Sequence, residues 1–211
     1  MASHGSSFQK TFLGAAGTST DSITVEDVFS TFVYKGVEQN NTDIVNGIDL
    51  ATDGGLVWIK CRNVAVDHIL ADTVRGANNH LHANSNTDNN TASDHITGFN
   101  TNGFEIGDET LVNNAENTYV SWTFRKAPKF FDVVTYTGSG SAKTVAHSLG
   151  GTVGMILIKN VGQTDNWAVY HRANTAAPQT DYLILNTNAP TADSADWWND
   201  TAPTTSVFTV G

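Results

Sequence analysis

Apolar and polar residues alternate with a period of two along most of this chain, the pattern of half-buried β-strands rather than of helices. The clearest case is "NTYVSWTF", where Tyr119, Ser121 and Thr123 share one face and Val120, Trp122 and Phe124 share the other. "VFSTFVYKG" alternates more loosely through Val28, Phe32 and Tyr34. "GGLVWIKCR" is a short apolar run opened by Gly54-Gly55, and "DHILADTVRG" reads as a strand closing on a glycine. "ITGFNTNGFEIG" contains Asn102-Gly103, which predicts a hairpin turn because both residues tolerate positive φ. The one weak helical pattern, "TSTDSITVEDVFSTF", is rich in β-branched residues and is read as strand. "GANNHLHANSNTDNNTASDH", dominated by Asn, Ser, Thr and Asp, predicts a long exposed loop.

The order of these segments recurs. "LVWIK" at 56–60 returns as "MILIK" at 155–159, and "DHILAD" at 67–72 as "NWAVYH" at 166–171, each 99 residues further on. "YKG" at 34–36 is echoed by "YTG" at 136–138, 102 residues on, and "GFEIG" at 103–107 by "VFTVG" at 207–211, 104 residues on. Four elements in one order at nearly one spacing predict a duplicated β-unit of roughly 100 residues, too long for a solenoid repeat. The expected fold is all-β: two tandem β-sandwich or jelly-roll-like domains, at 27–126 and 132–211, joined by a linker at 127–131 and preceded by an extended N-terminal arm at 1–26. The linker holds Pro128, which cannot donate to a ladder and turns the chain out of one sheet into the next. Arg125, Lys126 and Lys129 around it are expected to keep the connection soluble and to pair with carboxylates on either side. After "VFTVG" nothing answers "NTYVSWTF", so the second unit is expected to lack its closing strand. Either these residues belong to a longer polypeptide, or a neighbouring subunit donates that strand.

Charge narrows the function. Among 211 residues, 21 Asp and Glu face 11 Lys and Arg, a formal net charge of -10. A phosphate-binding surface needs clustered cations, so generic DNA or RNA binding is disfavoured. The lone Cys61, behind the apolar "LVWI", excludes an intrachain disulfide and reads as a buried structural thiol. No stretch approaches the ~18 apolar residues of a membrane-spanning helix, and "MASHGSSFQKTFLGAAG" lacks the apolar core of a secretory signal. Without such a signal, the N-x-Thr triplets at Asn40, Asn89 and Asn199 read as ordinary turns.

Taken together, "GGLVWIKCR", "DHILADTVRG", "FNTNGFEIG", "YVSWTFRKAPKFFDVVTYTG", "HSLG…MILIKN" and "NWAVYHR" resemble a repeated module of tail-fibre-like structural proteins of marine tailed phages, including those of cyanobacteria, over roughly residues 27–211. Where that module has a proline-containing turn after "HSLG", this chain has Gly150-Gly151-Thr152. The resemblance implies a non-enzymatic virion protein without cofactor, the particle-proximal part of a tail fibre, homotrimeric and docked on other virion proteins through residues 1–26. A capsid decoration or head-fibre protein, and a host-glycan receptor-binding module, are the alternatives.

Few residues suggest chemistry of their own. His80 and His82 stand at i and i+2, the spacing that puts two imidazoles on one face of a strand, and are the metal candidates, against a default of exposed loop histidines. Asp193, Asp196 and Asp200 surround Trp197-Trp198, acids beside aromatic faces that would suit glycan binding or, less well, glycan hydrolysis. On a regular strand the two indoles would point to opposite faces and could not share one platform. Asp67, His68, Asp72 and Arg75 read as a surface ion pair or a turn. Ser148 beside His147 is a sequence neighbour and not a triad, and no G-x-S-x-G, P-loop, CxxC or zinc-helix motif occurs. If residues 1–26 are a docking arm, deleting residues 2–26 should leave a folded protein that no longer enters particles. Normal incorporation of that deletion, read by immunoblot of purified particles, is the contrary result.

Overall fold

The computed structural model describes residues 23–211, so most of the expected arm lies outside the described residues. The described chain is nearly all β, as the alternation predicts, with helix confined to three single turns. The first of these corrects the strand reading of "TSTDSITVEDVFSTF": Val25–Val28 form a turn of helix, α1. The Asp27 carboxylate accepts from the Thr24 backbone N–H at 2.8 Å and from its hydroxyl at 3.0 Å. A local cap of this kind outweighs weak β propensity.

Strands β1 (Phe29–Lys35), β2 (Thr42–Val45), β3 (Gly55–Cys61), β4 (Ile69–Asp72), β5 (Asn79–His80), β6 (Asn90–Thr91), β7 (Ile96–Asn100) and β8 (Gly103–Ile106) lead to α2 (Thr110–Asn113) and β9 (Thr118–Arg125). An antiparallel sheet ordered β1-β9-β3-β4 faces a three-stranded sheet ordered β2-β8-β7. Ile44, Val57, Ile59, Ile69, Phe104 and Tyr119 fill the space between them. The β7–β8 turn is Thr101-Asn102, one residue earlier than expected, because Asn100 pairs with Gly103. Gly103 instead opens β8 at φ 151, where a Cβ would lie 2.0 Å from the Ile44 carbonyl oxygen.

The two faces of β9 are as the alternation predicts, but the inward one is the more polar. Tyr119, Ser121 and Thr123 are fully buried, while Val120, Trp122 and Phe124 are half-exposed. The Tyr119 hydroxyl donates to the Thr110 carbonyl oxygen at 2.7 Å, and the Thr123 hydroxyl accepts from the Asn46 amide at 2.8 Å. On the outer face Trp58 and Trp122 meet edge to face, and Phe124 lies against Phe29, Phe130 and Phe131.

The second half contains β10 (Lys143–Ala146), β11 (Met155–Ile158), β12 (Ala168–His171), β13 (Asp181–Ile184), β14 (Ala192–Asp193), α3 (Ala195–Trp198) and β15 (Val207–Val210). β10 pairs with β15, and β11-β12-β13-β14 form a separate antiparallel sheet. Its registers repeat those of the first half. Leu56↔Asp72 and Ile59↔Ile69 become Met155↔His171 and Ile158↔Ala168, every partner shifted by 99. Asn79↔Thr91 becomes Asp181↔Asp193, both shifted by 102. Thr42↔Ile106 becomes Lys143↔Val210, shifted by 101 and 104.

The halves also touch. Trp167 joins Leu70, Leu81 and Ala83 in one buried apolar cluster, and its indole N–H donates to the His82 carbonyl oxygen at 2.9 Å. At the connection Ala127 and Phe131 bridge across an exposed Pro128-Lys129-Phe130. Arg125 pairs with Asp53 in the first half and Lys126 with Asp132 in the second, so two of the three clustered cations are tied to carboxylates on either side.

Ser121 Oγ is buried without a hydrogen-bond partner. A stranded buried hydroxyl costs folding energy, so Ser121→Ala should raise stability by about 1 kcal/mol. Urea denaturation checks this; a loss of stability would mean that the hydroxyl has a partner.

Candidate functional site

The "exposed loop" expected between 77 and 95 is exposed only in part. The Leu70↔Leu81 bridge lays residues 79–83 along β4, and His80, Leu81, His82, Ala83 and His95 are buried. Asn composition signals loop, but here the amides bond one another: Asn89 Nδ2 donates to Asn79 Oδ1 at 3.1 Å, and Asn79 Nδ2 to the Arg75 carbonyl oxygen at 2.9 Å. In the pair expected on the surface, Asp72 is buried and Arg75 is partly so. Arg75 Nε donates to Asp72 Oδ2 at 2.6 Å, Arg75 Nη1 to Asn89 Oδ1 at 2.8 Å, and Asp72 Oδ1 accepts the N–H groups of Val74 and Arg75. Every strong group in this network has a partner, which is how a buried ion pair is tolerated.

His80 stacks on His95 with ring centroids 4.1 Å apart, and His82 meets His80 edge-on at 5.3 Å. His82 Nδ1 lies 3.1 Å from the His68 carbonyl oxygen, His95 Nδ1 lies 2.9 Å from Asp94 Oδ1, and His80 Nδ1 is buried without a partner. Burial first, then the neighbouring His95, His82 and Arg75, pushes His80 down from 6.5 to about 4, so the ring is neutral at physiological pH. Among the described residues no group of three or more His, Cys, Asp or Glu side chains is placed to hold a metal ion. The arrangement is a packed histidine stack.

The tryptophan cluster sits on α3 and not on a strand, so the expected opposition of the two indoles arises differently. Ser194 Oγ accepts from the Asp196 N–H at 3.2 Å, and Asn199 ends the turn in the left-handed region. Trp198 is core: 2% exposed, edge-on to Tyr170, its N–H donating to the Asp181 carbonyl oxygen at 3.0 Å. Trp197 stacks on Tyr182 at 4.5 Å with one face spent on that contact. Asp193, Asp196 and Asp200 are exposed around them. Ser148 Oγ donates to Asp132 Oδ2 at 2.7 Å, which makes it a partner of a carboxylate at the connection.

The two candidate clusters occupy the same place in the two halves. Shifted by 102, His80 becomes Tyr182 and His95 becomes Trp197, and both pairs stack at nearly the same distance and angle. The Gly107 N–H donates to the His95 carbonyl oxygen at 2.8 Å, and the Gly211 N–H to the Trp197 carbonyl oxygen at 3.2 Å. Pairwise sequence comparison at these positions could not have found the match, since neither residue of the stack is retained; only the ladder register shows it.

Residues 24–211 match a domain family of unknown function, DUF7483. The chain belongs to that family. No curated protein and no solved structure matches it. The DUF7483 span takes in both halves, with their shared apolar cluster, and begins at Thr24, the residue that caps α1.

In the unfolded chain His80 takes up its proton near pH 6.5, whereas in the fold it does so only near 4. The unfolded state therefore binds the proton first on acidification. His80's contribution is full above pH 6.5 and is lost as the pH falls toward 4, by on the order of 2–3 kcal/mol. Denaturation midpoints measured between pH 7 and pH 4.5 should fall less steeply in His80→Phe than in the parent; parallel slopes would count against the buried neutral ring.

Proposed function

We propose that this chain is a structural, non-catalytic virion protein: the particle-proximal part of a bacteriophage tail fibre, assembled as a homotrimer and held to the particle through residues 1–26. The observation that carries the reading is the return of one set of strand registers, 99 to 104 residues apart, in two halves that pack on each other. Recurrence of this kind supports a duplicated module, the means by which elongated appendages gain length from one solution to the packing problem. The resemblance of the strand sequences to tail-fibre modules supplies the particle.

The polar clusters support a structural role in the same direction. His82, His95, the Asp72–Arg75 pair and Trp198 bond to protein groups, and His80 packs against the other two rings, contacts that suit a structural role. The acidic surface, with a net charge of -10, is compatible with a solvated appendage and opposes contact with nucleic acid. No cofactor enters this function. A host-glycan site would have to use Trp197 with Asp193 and Asp196, since Trp198 is enclosed.

Immunogold labelling of intact particles with an antibody to this chain should mark the fibres near the tail. Label spread over the shell would replace the fibre reading with capsid decoration, and absence of the chain from washed particles would remove both.

A further inference from the structure

The two halves are coupled through the segment that carries the histidines. Among the described residues, two hydrogen bonds cross between residues 23–125 and residues 132–211. The Trp167 indole N–H donates to the His82 carbonyl oxygen at 2.9 Å, and the Asn89 N–H donates to the Val161 carbonyl oxygen at 3.2 Å. Leu81 and Ala83, from the same segment as His82 and Asn89, lie with Trp167, Leu157 and Leu185 in the apolar cluster that both halves share. The segment is laid on β4 by the Leu70↔Leu81 bridge, in which each N–H donates to the other's carbonyl oxygen, at 2.8 and 2.9 Å.

Beside that bridge, His80 is 4% exposed and its Nδ1 has no partner. The groups that face it are His82 two residues on, His95 and Asp94 from the turn before β7, and Arg75 from the turn after β4, itself paired with Asp72. Asp94 is already bonded to His95 Nδ1. The second half presents the uncharged Trp167, Leu157 and Leu185 to the segment. A proton on His80 would thus be a buried charge beside Arg75, with no acceptor for the Nδ1–H. At the matching position the second half stacks Tyr182 on Trp197, rings without a basic nitrogen, so this sensitivity belongs to the first half alone.

We propose that the histidine stack is an acid-released latch: a proton on His80 lifts residues 77–95 from β4 and so frees the second half from the first. Opening returns His80 to water, where it takes up a proton near pH 6.5 and not near 4. The closed state is therefore favoured most above pH 6.5, and the open state gains about thirtyfold between pH 7.5 and pH 5. The latch is independent of where the chain sits in a particle, so it and the fibre reading fail separately.

Hydrogen exchange of the full chain at pH 7.5 and pH 5, corrected for the intrinsic pH dependence of exchange, tests it. Protection of the Leu70 and Leu81 amides and of the Trp167 indole N–H should fall by about thirtyfold at pH 5, while the β9 amides keep theirs. His80→Phe should abolish the fall, and His80→Tyr, which installs the ring the second half uses, serves if the first variant does not fold. Unchanged protection at pH 5 overturns the latch. Equal loss along β9 overturns it in favour of global unfolding. Loss at Leu70 and Leu81 without loss at Trp167 overturns it because the segment then opens without freeing the second half. The same fall in a folded His80 variant overturns it by assigning the proton to another group.

Discussion

The first half depends on β9 being held on both edges. Seven residues of β1 and seven of β3 pair with it, and its inner face closes the space between the two sheets. A central strand must satisfy two ladders and two faces at once, so its sequence is the most constrained in the sheet. That explains the unusual inner face. Tyr119 provides the apolar volume but also reaches out to α2, where its hydroxyl donates to Thr110 and accepts from the Asn114 N–H. Ser121 and Thr123 are small enough to let Phe32 and the Ile59 and Val57 rows approach. The wider aromatic residues are left for the outer face, where Trp122 and Phe124 find Trp58, Phe29, Phe130 and Phe131.

The strands were legible because period-two alternation needs no knowledge of partners. The matching strands β3 and β11 were legible because "LVWIK" and "MILIK" keep the same branched apolar character. Which face of β9 points inward was not legible: hydrophobicity argues for Val120, Trp122 and Phe124, and tertiary aromatic contacts decide otherwise. The segment 77–95 misled for a related reason. Asn, Asp and Ser favour loops when their side chains bond their own backbone, but here Asn79, Asn89 and Arg75 bond one another across a short ladder, and the histidines between them are drawn inside. Composition cannot report a polar network that is satisfied internally, and so Asp72 and Arg75 looked like a surface pair. The Asn102-Gly103 turn slipped by one residue because the glycine was needed for close approach to Ile44 and not for the turn itself.

The candidate site was legible as residues but not as a place. His80, His82 and Trp197-Trp198 stand far apart in sequence and differ in chemistry, and nothing local connects them. The ladder does: His80 on His95 and Tyr182 on Trp197 stack alike at positions 102 residues apart. A register position that holds His on His in one half and Tyr on Trp in the other has a geometric requirement, two flat rings face to face, and no chemical one. Metal binding or glycan chemistry would demand particular atoms. Stacking demands only area, and it is the demand common to both halves.

Gly107 and Gly211 show the same logic at the backbone. Each follows a strand, β8 or β15, and each donates its N–H to the carbonyl oxygen of the stacked ring residue, His95 or Trp197. A Cβ on Gly107 would lie 2.3 Å from the Asp94 carbonyl oxygen, and one on Gly211 would lie 2.7 Å from the carbonyl oxygen of Asp196, the counterpart of Asp94. Any side chain there would force apart the strand and the turn that carries the stack. The glycine is thus fixed by the approach of two backbones, and the ring pair by the surface those backbones present. In the first half this arrangement feeds directly into α2 and β9, which close the core over it. In the second half the same glycine, turn and stacked pair stand at the same register beside the β11-β12-β13-β14 sheet.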